Sequence, residues 1–225
     1  MATLLIDADD TLWENIIIFH RINAAYAQWV APERDAEVVR AELDEIQVGL
    51  VATHGYGRDT FQLSLLRGVE HFAARTPTPL DETTVANLVA PLRWDELDLI
   101  DGVAETLELL HADNQLLMVT KGNHAEQSHK VERSGLRHFF DAVEILPDKT
   151  VDQYERIVTD HSLDPDSTWM IGNSPRSDIV PALDAGLHAI FIPHAQTWSH
   201  ELAEVPNHPR LTQLTDFTKL RFLFT

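Results

Sequence analysis

Five short apolar runs, each leading into a polar residue able to do chemistry, constrain this 225-residue chain more than anything else in it. Leu4-Leu5-Ile6 runs into Asp7, and Leu116-Leu117-Met118-Val119 runs into Thr120. Ala142–Leu146 is followed closely by Lys149, Trp169-Met170-Ile171 by Gly172-Asn173, and Ala189–Pro193 by His194. Runs this short and apolar on both faces read as buried parallel strands. Helical patterns separate them. Val103, Leu107 and Leu110 mark a helix over 103–113, and a second over 123–134 stops at Gly135, placed as a C′ glycine. Val151, Tyr154, Ile157 and Val158 mark a third over 151–161. The last crossover, near 177–185, ends at Gly186, and Pro181 sets its start around Ser177. Strands alternating with crossovers of this length predict an α/β fold with a doubly wound parallel sheet. Such sheets bind ligands outside the carboxyl ends of their strands, where Asp7, Thr120, Lys149 and Asn173 all fall.

Residues 14–98 follow another pattern. They read as helices over 14–30, 35–49, 60–74 and 81–92, with no convincing strand between them. An all-helical insert of about 85 residues therefore follows the first strand, leaving 1–13 and 99–225 as the sheet domain. His54-Gly55-Tyr56-Gly57-Arg58, with two glycines, is the evident loop inside the insert.

Charge limits the partners. The formal net charge is −19, and the acid is spread evenly: residues 1–100 hold 7 basic and 17 acidic side chains, and 101–225 hold 10 and 19. No basic face is left for nucleic acid or anionic lipid, so an anionic substrate needs a few local positive groups or a metal. With no cysteine, disulfides, thiolate zinc sites and cysteine nucleophiles are excluded. The start meets a charge at Asp7 without a basic n-region, and no apolar stretch approaches the roughly 18 residues that span a bilayer. The expectation is a cytoplasmic protein with no membrane partner.

In Asp7-Ala8-Asp9-Asp10-Thr11-Leu12, Asp7 and Asp9 are two apart and so face one side of an extended strand end. Two such carboxylates repel, and need a cation or a shared proton to coexist. A capped strand end with an Asx or ST turn at Asp10 or Thr11 is the plainer reading of this segment alone. Thr120, Lys149, Asn173 and Asp178 converging on it favour chemistry, and the parts suit phosphoryl transfer. Asp7 would attack phosphorus, Thr120 and nearby backbone amides would donate to phosphoryl oxygens, and Lys149 would add fixed positive charge. Asp9 is placed to protonate the leaving oxygen and later to take a proton from water, with Mg2+ neutralising the carboxylate and phosphoryl oxygens.

These motifs, in this order, resemble those of haloacid dehalogenase (HAD) superfamily phosphatases with a helical C1 cap. The first motif, Asp-x-Asp-x-Thr-Leu after an apolar strand, is matched by Leu4–Leu12; the second by Leu116–Thr120, with Lys121-Gly122-Asn123 following; the third by Lys149. The fourth, Gly-Asp-x4-Asp-Ile, is approached by Gly172–Ile179, with Asn173 standing in place of the usual Asp. The resemblance implies a Rossmann-like core carrying an inserted helical cap over 14–98. It implies Asp7 as nucleophile, Asp9 as general acid/base, and Mg2+ held by Asp7, the Asp9 backbone carbonyl, Asn173 and Asp178. Asn173 leaves that site one negative charge short and its magnesium affinity weaker. Asp10, where the commonest motif has Gly, is expected to be a turn residue.

The dehalogenase branch of the family lacks the second carboxylate, because a halide leaves without a proton; Asp9 disfavours that branch. A receiver-like signalling domain needs a phospho-accepting Asp on a middle strand, which here ends in Thr120, and lacks such an insert. A phosphate-binding domain without turnover is the remaining alternative. Lys121, Gly122 and the loop residues Tyr56 and Arg58 are candidate substrate contacts, Arg suiting a second anionic group. His194 and Trp198 follow the last strand, His194 reading mainly as a turn or edge residue, and the 12 histidines show no i, i+4 pair beside a carboxylate that would favour zinc. The expected substrate is a small phosphorylated metabolite, and the expected assembly a monomer or homodimer.

Overall fold

Six parallel strands carry the fold in the computed structural model, which describes residues 1–73 and 82–225. They are β1 (Thr3–Ile6), β2 (Gln115–Lys121), β3 (Ala142–Leu146), β4 (Thr168–Gly172), β5 (His188–Phe191) and β6 (Leu211–Gln213), in the spatial order β3-β2-β1-β4-β5-β6. The chain fills one side of β1 with β2 and β3, then crosses to fill the other with β4, β5 and β6. The switch point therefore lies at the carboxyl end of β1, between β2 and β4. Ile6 is level with Met118 on one side and Ile171 on the other, so Asp7 emerges between the ends of those two strands.

The double-faced apolar runs have a direct cause. On one face Leu4 and Ile6 pack with Leu116, Met118 and Ile171 beneath Val103, Leu107 and Leu110 of α5 (Val103–Asp113). On the other, Leu5, Leu117, Val119 and Met170 pack under Tyr154 and Ile157 of α7 (Val151–Asp160). Between these helices in the chain, α6 (His124–Arg133) is capped by the Asn123 side chain, which accepts from the Ala125 and Glu126 amides. It ends at Ser134 with Gly135 at φ +71°, the left-handed position a C′ glycine fills.

Two features of the sheet unit differ from the sequence reading. The last crossover begins at Pro175, two residues before Ser177. A wide turn over Pro175–Ile179 leads into α8 (Val180–Asp184), and the Ser174 hydroxyl accepts from the Ser177 amide to cap it. Pro175 suits a first helical position because the missing N–H has no partner there, and Pro181 falls in the first turn of α8, where the same tolerance holds. The strand β6 was not expected: it is three residues long, none of them buried, so it forms no apolar run.

The remaining helices form a second compact unit, Ile17–Trp94. Its helices are α1 (Ile16–Val30), α2 (Ala36–His54), α3 (Arg58–Ala73) and α4 (Glu82–Leu88), followed by a 3₁₀ turn over Ala90–Arg93. No strand occurs among its described residues. Helix α2 runs five residues past the expected end at 49, because nothing breaks it before Gly55, whose φ of +77° and bond to the Val51 carbonyl close it. Residues 74 and 81, which bound two of the expected helices, lie outside the described residues. The sequence reading set the insert at 14–98, but residues 14–16 and 95–98 belong to the sheet unit. There the Glu14 amide donates to the Asp98 carbonyl at 2.8 Å, and Ile100 to Leu12 at 3.0 Å. Among the described residues no helix is long and apolar enough to cross a membrane. A short α9 (Arg221–Phe224) ends the chain.

Candidate active site

Asp7, Lys149 and Asp178 meet at the switch point, all buried. The Lys149 ammonium donates to Asp7 Oδ1 at 2.5 Å and to Asp178 Oδ1 at 2.7 Å. The second Asp178 oxygen accepts from the Ser174 amide at 2.9 Å. One ammonium thus faces two carboxylates taken out of water. Burial pushes the Asp7 carboxyl up to about 7, Asp178 adding to the rise and Lys149 opposing it. Burial alone would lower the Lys149 ammonium, but Asp178 and Asp7 together hold it above its usual value. The Thr11 hydroxyl donates to Asp7 Oδ2 at 3.1 Å and lies 3.5 Å from Asn173 Oδ1, drawing those two oxygens to one place.

Gly172 is required here. A Cβ at that position would lie 2.2 Å from Asp178 Oδ2, on a buried group whose oxygens already hold Lys149 and the Ser174 amide. Gly172→Ala is expected to cost about 1–3 kcal/mol of stability, as overpacking does. Urea unfolding measures it, and an unchanged midpoint would contradict the close approach.

Asp9 lies apart from the Lys149 centre, in its own clamp. Its carboxylate accepts from Trp13 Nε1 at 2.6 Å, Gln127 Nε2 at 3.0 Å and Lys130 Nζ at 3.0 and 2.9 Å. Burial would raise this carboxyl, but Lys130 and Gln127 outweigh burial and hold it below its usual value. Thr120, also buried, donates to Gln127 Oε1 at 3.2 Å, so Gln127 ties the end of β2 to Asp9. Asp10 is the turn residue expected of it: φ is +62°, and its carboxylate accepts from the Asn15 and Ile16 amides at 2.8 Å each.

Other expected contacts fall differently. The Gly122 amide, a candidate donor to substrate, is spent on the Leu146 carbonyl at 2.9 Å, and the glycine serves its φ of +136° instead. The Lys121 ammonium donates to Ser177 Oγ and to Glu201 at 2.6 Å each. Glu201 also accepts from Ser174 at 2.7 Å and Ser177 at 2.6 Å. Burial works against the ionised Glu201, but Lys121 and the two hydroxyls bring it down to about 2. Its contribution is therefore complete above the ordinary value of 4.5 and fades as pH falls toward about 2. Glu201→Gln is expected to cost about 1.5–3 kcal/mol at pH 7, the range for charged hydrogen bonds, and less at pH 3. Urea midpoints at the two pH values test this; an equal loss at both would refute it.

Tyr56 lies in the loop closing α2, and Arg58 opens α3, both within the helical unit. His194 Nε2 is 3.2 Å from Glu14 Oε2, and Asp10, Glu14 and His194 bring three possible ligand atoms within 4.8 Å of one another. Sequence spacing hides this half-buried group, because His194 comes from the far end of the chain. The Trp198 ring lies tilted beside His200 at 4.9 Å.

The pattern of the haloacid dehalogenase-like hydrolases matches residues 1–186, most of the chain. The chain belongs to this family. As a HAD-like hydrolase it is an enzyme, and its sheet is the Rossmann-like α/β core of that family. A HAD-like family hydrolase from Xanthomonas campestris superposes with a TM-score of 0.80 at 24% identity, covering 99% of this chain and 94% of the other. YfnB of Bacillus subtilis, a putative HAD-hydrolase solved bound to magnesium, gives 0.69 at 18%, covering 100% and 98%. The L-2-haloacid dehalogenase of Xanthobacter autotrophicus gives 0.62 at 15%, covering 99% and 98%. At these identities the likeness is one of fold. In sequence, 99 residues are 29% identical to the pyrimidine 5′-nucleotidase YjjG of Escherichia coli, covering 41% of this HAD-like hydrolase and 44% of that relative. The chain thus matches less than half of the relative's length.

The sequence reading of this HAD-like hydrolase took Thr11 for a turn and motif residue only, and left out Gln127, Lys130 and Glu201. Lys130 had a readable signal: it stands on the same stripe of α6 as Gln127 and Val131, the buried side of that helix. Glu201 had none, since it ends a short 3₁₀ turn (Ser199–Glu201) in the connection between β5 and β6.

Proposed function

We propose that this HAD-like hydrolase is a magnesium-dependent phosphomonoester hydrolase that acts on a small phosphorylated metabolite through an aspartyl-phosphate on Asp7. The observation that carries the reading is the pairing of a Lys149-bound Asp7 with a second carboxylate, Asp9, held separately beside it. Displacement of a halide needs one carboxylate; displacement of an alkoxide also needs a proton donor.

The donor set fits a hard divalent cation. Asp7, Asn173, Asp178 and the Asp9 backbone carbonyl offer only oxygens, and Asp7 with Asp178 leaves one negative charge unbalanced by Lys149. Magnesium, when bound by them, supplies positive charge to the phosphoryl oxygens. Asp7 attacks phosphorus, the phosphorus–oxygen bond to the substrate breaks, and the leaving oxygen takes a proton from Asp9, which must first gain that proton and give up hydrogen bonds to Lys130 and Gln127. Water then attacks the phosphoryl group, Asp9 takes its proton, and Asp7 returns as carboxylate. Lys149 holds Asp7 in line throughout, and Thr120 is assigned to the phosphoryl oxygens. The helical unit is assigned the part of a substrate-selecting cap, with Tyr56 and Arg58 as its candidate ligand contacts, and Lys121 is a candidate contact from the end of β2.

A panel of phosphorylated metabolites, nucleoside monophosphates among them because of the named Escherichia coli relative, tests the reading at controlled magnesium. Magnesium-dependent, continuous phosphate release supports it. Halide release from 2-haloacids without phosphatase activity would reinstate the dehalogenase. Stable phosphorylation without turnover would point to a receiver-like role.

A further inference from the structure

The turn after β4 carries two of the proposed magnesium ligands, Asn173 and Asp178, and its main chain ties them together. The Ser174 amide donates to Asp178 Oδ2 at 2.9 Å, and the Ser174 carbonyl accepts from the Asp178 amide at 2.9 Å. Asp178 therefore goes where Ser174 goes, and Asn173 is the residue just before it. What fixes Ser174 comes from outside the turn. Its hydroxyl donates to Glu201 Oε2 at 2.7 Å and accepts from the Ser177 amide at 3.0 Å. The Ser177 hydroxyl donates to the same Glu201 oxygen at 2.6 Å and accepts from the Lys121 ammonium at 2.6 Å. The other Glu201 oxygen accepts from Lys121, also at 2.6 Å. Every bond in this cluster has a donor and an acceptor with Glu201 ionised, as its value of about 2 makes it at neutral pH. One oxygen receiving two hydroxyls three residues apart fixes the turn at both of its corners. None of these bonds goes to either ligand residue.

We infer that Glu201 is a positioning residue for the metal centre: through Ser174 and Ser177 it sets the turn that presents Asn173 and Asp178 together. The consequence for magnesium rests on the proposed metal centre, whereas the placing of the turn does not. Without Glu201, the two hydroxyls lose their shared acceptor and Lys121 loses the carboxylate 2.6 Å away. The Ser174 amide still reaches Asp178, but the turn is free to shift, and the ion itself must then order the pair. Tyr154 of α7, which donates to the Ser177 carbonyl at 2.9 Å, still holds one corner, so the loss is partial. Partners that hold metal ligands are worth about 10- to 100-fold in affinity, and Glu201, acting through the serines, is assigned the lower end.

The test measures magnesium binding by calorimetry, without substrate, in the wild type, Glu201→Ala, Ser174→Ala/Ser177→Ala and the three changes combined. Glu201→Ala and the serine pair are each expected to raise Kd about tenfold. The triple variant is expected to bind no more weakly than either, because Glu201 acts through the two hydroxyls. A Glu201→Ala loss of the same size in both backgrounds would mean that the carboxylate acts only by its charge at a distance. An unchanged Kd would leave Glu201 a support for stability; either result overturns the inference. The Asn173 side-chain amide gives a readout that needs no magnesium. Its NMR resonances, assigned by their disappearance in Asn173→Asp, are expected to move in Glu201→Ala and in the serine pair, and no further in the triple variant. The serine pair keeps the Glu201 charge and tests the turn even where Glu201→Ala does not fold: resonances at their wild-type positions there overturn the inference as well. If the wild type takes up no magnesium while the resonances move together, the metal reading fails and the positioning stands.

Discussion

Asp7→Asn loses phosphate release by roughly 10⁴- to 10⁶-fold, the range seen when a nucleophile is removed, and remains folded. The two halves of this expectation come from the same geometry. Asp7 is the group that Lys149 and Thr11 aim from the end of β1, and an amide oxygen in its place is a poor nucleophile toward phosphorus. The fold, however, does not need the charge. Burial first, and then Asp178, raise the Asp7 carboxyl from its ordinary 3.8 to about 7. A raised carboxyl costs the folded state nothing below 3.8 and progressively more as pH rises through about 7. Asn at this position escapes that cost, so in magnesium-free buffer at pH 8 the variant should unfold at the same urea concentration as the wild type or higher. Such a trade of stability for activity is common at catalytic sites. Full activity in Asp7→Asn, in protein free of contaminating phosphatase, would refute the covalent mechanism.

Lys149→Met is expected to have the largest effect on stability. It leaves Asp7 and Asp178, both buried, facing each other with their shared counter-charge gone. Removing one partner of a buried ion pair costs about 3–5 kcal/mol, a large part of the 5–15 kcal/mol that holds a typical protein folded. The sign of a second change makes the test specific. Adding Asp7→Asn to Lys149→Met removes one of the stranded charges and should recover much of the lost stability, with no recovery of activity. The coupling between the two positions is read from a double-mutant cycle of urea midpoints in magnesium-free buffer. Additive losses, or a Lys149→Met midpoint near the wild type, would mean that the lysine does not compensate the two carboxylates.

Much of this site can be read from the chain because buried parallel strands have to be apolar on both faces, which makes their polar ends conspicuous. Asp7, Thr120, Lys149 and Asn173 stand out for that reason, and β1 to β5 with α5, α6 and α7 follow from simple periodicity. What escapes notice does so for equally physical reasons. The edge strand β6 buries none of its residues and so leaves no hydrophobic trace. Pro175 and Pro181 look like breakers, yet both sit where a helix tolerates proline. The Gly122 amide looks available in sequence but pairs with Leu146 across the sheet. Lys130 and Glu201 are charges whose partners lie 121 and 80 residues away, a relation that no local pattern carries.

Magnesium-dependent phosphate release from p-nitrophenyl phosphate, followed beside halide release from a 2-haloacid in the same preparation, tests the central claim most directly. The account predicts continuous phosphate release that stops when magnesium is chelated and is absent in Asp7→Asn, with no halide released. Halide release that depends on Asp7 and not on magnesium, with no phosphate released, would contradict it.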